Sequence, residues 1–407
     1  MLLEFWQNFQ HNLFKPLLLF FYLGFLIPIL KVQFEFPYVI YQGVTMYLLL
    51  AIGWHGGEEL ATIHMANVGS IVGFIVLGFL LDFLIGFLAY VLLTRMTKMR
   101  RIDKATVAGY YGSDSAGTFA TCLGVLATVG LAFNGFMSVM LAVMEMPGCL
   151  VALVLAARLR HKGMDALGNM PDEPGYKQPV RVGPGAASQP APGQHLEAES
   201  ELAGEPETKT ALQLQEHPYT GAGESDTTTR VGTAKLLREV LLNPGLYLLF
   251  GGIVIGLVSR LQGPKVVHDT DHVFVAAFQG VLCLFLLEMG MTASRRLKDL
   301  RSAGPGFIAF GLLAPNLFAT LGIITAHVYA HLTHAPFKPG TYILFAVLCG
   351  AASYIAVPAV QRLAIPEASP TLPLAASLGL TFSYNVTIGI PVYIEISRFI
   401  TQWFPLT

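Results

Sequence analysis

The chain has 407 residues, 54% of them hydrophobic and only 13% charged, with a formal net charge of −1. A mean hydropathy of +0.58 lies far above that of an ordinary water-soluble domain, and so even a charge balance leaves no electrostatic footprint for nucleic acid. The four cysteines (Cys122, Cys149, Cys283 and Cys349) sit scattered in apolar stretches, at spacings that fit neither a disulfide framework nor a metal site.

Apolar runs long enough to cross a bilayer follow one another along the chain. In the first half they are Leu13–Leu30, Tyr38–Trp54, Val68–Leu93, Ala105–Val129 and Phe136–Ala157. The residues before Leu13 include Glu4 and offer neither a basic n-region nor a small-residue cleavage site, so the first run reads as a retained span. The second half offers Gly245–Val258, His272–Met291, Phe307–Tyr329, Tyr342–Ile365 and Leu374–Ile396. Between the halves, roughly from Gly163 to Gly232, lies a stretch rich in Pro, Gly, Ala, Glu, Gln and Thr. It has too few large apolar residues to bury a core and reads as a largely disordered linker. The organisation expected is a five-helix repeat over 1–157, a linker over 158–238 and a second five-helix repeat over 239–407.

Charge asymmetry orients the spans. Arg95, Lys98, Arg100, Arg101 and Lys104 follow span three, and Arg295, Arg296, Lys298 and Arg301 follow span seven. The linker opens with Arg158, Arg160 and Lys162 and closes with Lys235 and Arg238. The connections around Glu58-Glu59 and Leu131–Asn134 carry no Lys or Arg. By the positive-inside rule the linker is cytoplasmic, both termini face outward, and the protein is a multi-pass inner (plasma) membrane protein. Five spans per half force the second half to enter the membrane in the opposite sense, which is the arithmetic of an inverted repeat. Short internal similarities fit it: Ile52-Gly53 and Met289-Gly290 end spans two and seven, and polar breaks fall at similar depths in spans four and nine.

Those breaks carry the chemistry. Span four is interrupted by Gly112-Ser113-Asp114-Ser115-Ala116-Gly117-Thr118, and span nine by Ala352-Ser353-Tyr354-Ile355-Ala356-Val357-Pro358. A carboxylate and several hydroxyls in mid-span are costly in hydrocarbon unless something there uses them. Glycines loosen the helix, and Ser113, Asp114 and Ser115 are good caps for a half-helix restarting within the membrane. Such a restart offers free amides and a positive dipole end to a small anion. Asp114, Ser115, Thr118 and Ser353, with freed carbonyls, offer hard oxygen to sodium. The expected substrate site is Ser113, Asp114, Ser115, Ala116, Gly117, Thr118, Ala352, Ser353, Tyr354 and Ala356. The competing role for each hydroxyl is a bond back to its own helix, and for Asp114 a helix cap.

Other polar positions are less defined. Thr381, Ser383, Tyr384, Asn385 and Thr387 form a polar face in span ten that either completes the site or bonds between helices. Glu145 precedes Met146-Pro147, where a packing or a coupling role is open, and Asp82 and Glu288 read as lying near a wetter face and receive no role. His55 reads as an interfacial histidine. Enzyme readings find no support: no Walker-type glycine loop, no His-Glu-x-x-His and no Gly-x-Ser-x-Gly occurs. Asp114 lacks the second nearby carboxylate that intramembrane aspartyl proteolysis needs, since span nine offers Tyr354.

The order and spacing of Ile52-Gly53-x-x-Gly56-Gly57, Gly112-x-x-Ser115-x-x-Thr118, Glu145-Met146-Pro147, Met289-Gly290-Met291 and Arg362-x-x-Ile365-Pro366 resemble the sodium-dependent bicarbonate transporter superfamily. The resemblance covers both halves and fails only in the linker. It implies an all-α fold of ten helices in two inverted repeats, with broken helices four and nine crossing at the midplane. It further implies a homotrimer, sodium-coupled uptake of bicarbonate by alternating access, and, in cyanobacterial members, inhibition by a PII-like protein at the cytoplasmic face. The chain departs from that pattern in the second break, where Tyr354 stands at the place of the family's aspartate. Asp114 occupies the pseudo-symmetric position in the first break, as if the carboxylate had moved between repeats. The function expected is sodium-coupled import of bicarbonate or a similar small anion. The alternatives are another small anion such as a carboxylate, coupled to sodium or protons, and a transport-inactive receptor for a nucleotide-signalling partner.

Overall fold

The computed structural model describes residues 14–63, 65–177, 243–297, 300, 304–354 and 356–404, and every element among them is helical. The helices are α1 (Pro16–Ile29), α2 (Tyr38–Leu60), α3 (Met65–Met96), α4 (Arg101–Tyr111), α5 (Ala116–Val129), α6 (Met137–Met144) and α7 (Pro147–His161). The second half gives α8 (Pro244–Gln262), α9 (Pro264–Asp271), α10 (Phe278–Arg296), α11 (Pro305–Thr333), α12 (Pro339–Gly350), α13 (Ala356–Ala364), α14 (Thr371–Leu374) and α15 (Ile390–Trp403). Prolines at the first helical position open α1, α7, α8, α9, α11 and α12, where the missing N–H costs nothing and the fixed φ suits the helix.

Five stretches among the described residues are long and apolar enough to cross a membrane: Val68–Met96, Met137–His161, Pro244–Gln262, Pro264–Arg296 and Pro305–Thr333. The other expected spans are shorter, less apolar or interrupted. The run Ala105–Val129 is divided between α4 and α5, and the run Tyr342–Ile365 between α12 and α13. The last run passes through two wide-turn π segments, Ala375–Phe382 and Asn385–Gly389, before α15.

Close helix pairs join the two halves of the chain, and small residues set them. α2 lies on α8 with Gly53 and Gly57 against the backbone of Leu249, Gly252 and Ile253, while Gly256 abuts the carbonyl of Trp54. α1 lies on α10 in the same manner, Gly24 against Leu287 and Gly290 against Phe21. Where lipid is as apolar as leucine, such backbone-to-backbone approach supplies the dispersion contact that holds helices together. α4 packs on α7 through Gly109, Gly148 and Ala152.

α7 runs to His161, and residues 163–177 fold into turns organised by two acids. Asp165 accepts the amides of Leu167, Asn169 and Lys177 at 3.0, 2.7 and 2.8 Å. Glu173 accepts the amides of Met170 and Arg101, both at 2.8 Å, tying this segment to the start of α4. Most of the linker, together with Lys235, Arg238, Lys298 and Arg301, lies outside the described residues.

Packing at the α2–α8 crossing is directly testable. Gly256→Val drives a side chain into the Trp54 carbonyl, whereas nothing lies within 4 Å of a Cβ at Gly251. Gly256→Val is expected to cost at least about 1–3 kcal/mol and to lower the thermal unfolding midpoint in detergent. Gly251→Val should unfold with the parent, and equal midpoints for the two variants would mean that the crossing is not tightly packed.

Candidate functional site where two interrupted helices meet

The first break runs from Gly112 to Ser115. α4 stops at Tyr111, and Gly112 is held so close to neighbouring backbone that a Cβ would lie 2.9 Å from the Gly86 Cα and 3.3 Å from the Gly148 Cα. The chain then turns toward a second interruption, at Glu145-Met146-Pro147 between α6 and α7. There the Ser113 hydroxyl donates to the Glu145 carbonyl at 2.6 Å, and the Asp114 amide donates to the Met144 carbonyl at 3.4 Å. Pro147 brings no N–H of its own, and the opened turn before it presents carbonyls to these donors.

α5 restarts at Ala116 with Ser115 as its cap. The Ser115 hydroxyl accepts the Thr118 amide at 3.3 Å and bonds the Thr118 hydroxyl at 3.0 Å. Thr121 bonds back to the Gly117 carbonyl. The capping role weighed for Asp114 therefore belongs to Ser115. Both Asp114 carboxylate oxygens are fully buried and have no hydrogen-bond partner among the described residues.

The second break meets the first. α12 ends at Gly350, Ala351 is extended, and the Ser353 amide donates to the carbonyls of Tyr110 at 2.8 Å and Ser113 at 3.1 Å. A backbone donor freed by one interruption thus satisfies carbonyls at the end of the helix broken by the other. Ala352 and Ser353 are buried here, and Ala356 opens α13. Asn385, on the second π segment, donates from Nδ2 to the Gly350 carbonyl at 2.9 Å and is held in turn by the Tyr393 hydroxyl at 2.6 Å. Wide turns of this kind re-aim a side chain that an unbroken α-helix would carry elsewhere.

Tyr354 covers the start of α5. Its hydroxyl and the Phe285 ring stand where a Cβ at Gly117 would be, and its ring packs edge-on against Phe382 at 5.5 Å between centroids. The hydroxyl lies beside Ser115 and is buried without a hydrogen bond of ordinary geometry among the described residues. Ser113, Asp114, Ser115, Ala116, Gly117 and Thr118 therefore cluster with Ala352, Ser353 and Tyr354 around one point of helix interruption.

Other polar positions resolve toward packing. Thr381 donates to the Gly311 carbonyl at 2.9 Å and shares a 2.6 Å bond with the Tyr111 hydroxyl, and Tyr384 donates to Asn316 at 2.8 Å. Thr387 bonds to the Ser383 carbonyl at 2.7 Å. At one end of α2, Glu59 pairs with Lys338 at 3.0 Å, Trp54 donates to Asp271 at 3.1 Å, and the His55 ring rests on Phe133. Two residues outside the expected site belong to the neighbourhood of Asp114: Glu145, at the α6–α7 junction, and Asp82, midway along α3, both lie within its electrostatic reach. A lone acid in an apolar span was the available signal. No three His, Cys, Asp or Glu side chains among the described residues stand close enough together to cage a metal ion.

A family model described as the Na+-dependent bicarbonate transporter superfamily matches residues 16–398. No curated protein matches the chain.

Separating cap from bare carboxylate is a stability experiment. Ser115→Ala removes the cap and is expected to cost about 1 kcal/mol. Asp114→Asn removes a buried charge that nothing compensates, so in sodium-free buffer it should leave stability unchanged or raised. Comparing thermal midpoints of the two variants in detergent checks the assignment, and the reverse ordering would return the capping role to Asp114.

Proposed function

The chain belongs to the Na+-dependent bicarbonate transporter superfamily, within which it is a multi-pass membrane protein, and from that premise we propose a secondary transporter coupling sodium to the uptake of bicarbonate. The observation that carries the proposal is the joining of the two interruptions through Ser353, with the uncompensated Asp114 between them.

A buried carboxylate without a partner either takes a cation or gives up its charge. Sodium is the cation that the superfamily's description names, and carboxylate with backbone and hydroxyl oxygen suits it. The residues that would hold it are Asp114 with Ser115, Thr118 and Ser353. Bound sodium supplies positive charge at the start of α5, and the amide end of that helix adds its own positive dipole. An anion arriving there finds amides at Ala116 and Gly117 and the unpartnered hydroxyl of Tyr354. Cation and anion then each lower the cost of burying the other, which is the physical basis for coupling them. The Tyr354 ring narrows the anion end, which favours a small planar oxyanion over a bulkier carboxylate.

The same reading places the interruptions at the bilayer midplane, within ten spans arranged as two inverted repeats. In it the cytoplasmic linker joins the repeats, the termini face outward, alternating access moves the site between faces, and three copies assemble. A PII-like regulator would act from the cytoplasmic side, where basic residues follow α3.

Uptake of isotopically labelled bicarbonate into proteoliposomes tests the proposal. An inward sodium gradient is expected to raise uptake at least tenfold over the same gradient of potassium. Asp114→Asn should assemble yet lose that stimulation, or need at least tenfold more sodium to reach it. Uptake driven by a pH gradient and indifferent to sodium would replace sodium with a proton, and no uptake under any gradient would point to the receptor.

A further inference from the structure

Among the described residues α3 contains the most apolar of the membrane-crossing stretches, Val68–Met96, and Asp82 sits near its middle. The only other charged residue in that stretch is Arg95, near the end of the helix. Asp82 does not escape to a wet surface: it is 1% exposed, and neither carboxylate oxygen has a hydrogen-bond partner among the described residues. The Cys349 thiol, one residue from the end of α12, stands beside the carboxylate without closing a hydrogen bond of ordinary geometry. The Asp82 backbone meets the first break, its carbonyl 3.2 Å from where a Cβ on Gly112 would lie.

Two buried and unpartnered carboxylates therefore stand within electrostatic reach of one another, Asp114 from the break and Asp82 from α3, whose backbone touches the break at Gly112, with Glu145 a third acid within reach of Asp114. The titratable groups within electrostatic reach of Asp114 are thus acids like itself, and neither carboxylate oxygen pair has a hydrogen-bond donor of ordinary geometry to replace the water it has lost. An isolated acid of this kind costs several kcal/mol to bury, and two side by side cost more. A shared cation removes both penalties at once. We infer that Asp82 is a second ligand-bearing carboxylate of the cation site and shares one monovalent cation with Asp114, the shell being completed by backbone oxygen. Three acids do not converge closely enough for a divalent cage, so the cation is a hard monovalent one. This rests on the sodium reading given above and extends it to an element, α3, outside both interruptions. It also ties α3 to the α4–α5 break, so that cation binding draws a long span toward the site.

The test uses the purified full chain in detergent, with sodium titrated against potassium at constant ionic strength and the thermal unfolding midpoint as readout. The parent should be stabilised by sodium in a saturable manner. Asp82→Asn, nearly the same shape without the charge, should be at least as stable as the parent without sodium, because it removes a buried charge. Its sodium half-saturation should rise at least tenfold. A purely structural role for Asp82 would lower stability at every sodium concentration and leave the half-saturation in place, and that result overturns the inference. Should Asp82→Asn fail to assemble, Asp82→Glu keeps the charge and displaces it by one methylene. An unchanged half-saturation in that variant overturns the inference equally. A parent with no sodium response would defeat the sodium reading itself. An Asp114→Asn variant that loses the response while Asp82→Asn keeps the parent's confines the failure to Asp82.

Discussion

The amide of Ser353, shared between the carbonyls of Tyr110 and Ser113, is the contact on which the site depends. Interrupting a helix in an apolar interior frees donors and acceptors that water cannot reach, and each left alone costs on the order of 1–3 kcal/mol. A single interruption would have to find its partners among side chains. Two interruptions placed together can satisfy one another through the backbone, and here the donor of one serves the acceptors of the other. Asn385 closes the remaining end by bonding the Gly350 carbonyl, and Ser113 and Asp114 spend their donors on the opened turn at Met144 and Glu145. Three breaks, between α4 and α5, α6 and α7, and α12 and α13, thus stabilise each other, and the side-chain chemistry sits where they converge.

Convergence has an electrostatic consequence. Asp82 and Glu145 lie within electrostatic reach of Asp114, and the helix α5 begins two residues beyond it with its first amides. At an effective dielectric near 20, two like charges about 4 Å apart repel by about 4 kcal/mol. On the proposed cation-site reading, a repulsion of that size would be relieved when the cation binds. The chain's superfamily is described as Na+-dependent, which is the ground on which sodium is proposed for that role. The departure at Tyr354 acquires a physical meaning as well: a ring covers Gly117 while the negative charge sits in the other break.

Much of this was legible in the residues. The run of glycines and hydroxyls from Gly112 to Thr118, set in apolar sequence, announced an interruption, and the chain breaks there. The second break was legible for the same reason, and the family followed from the order of short motifs on either side. What composition could not supply was who bonds to whom. Ser115 and Asp114 are both good caps, and only the turn at Ser115, with φ −138° and ψ 111°, decides between them. The polar face of span ten was ambiguous because π turns rotate Asn385 toward Gly350, whereas Thr381 and Tyr384 bond to α11, and no sequence period encodes that rotation. Asp82 was visible as a lone acid, but its neighbours come from segments 30 and more residues away. The turns over 163–177 are organised by acid-to-amide bonds around Asp165 and Glu173, which composition does not encode.

The most direct measurement is equilibrium binding of radioactive sodium to the purified chain, with and without bicarbonate, in the parent and in Asp114→Asn. Saturable binding that bicarbonate tightens, and that the Asn variant loses, is the expected result, because linkage requires the two ligands to help each other by the same factor. Sodium binding that ignores bicarbonate, or that survives unchanged without the Asp114 charge, would contradict a single site built where the two helices are interrupted.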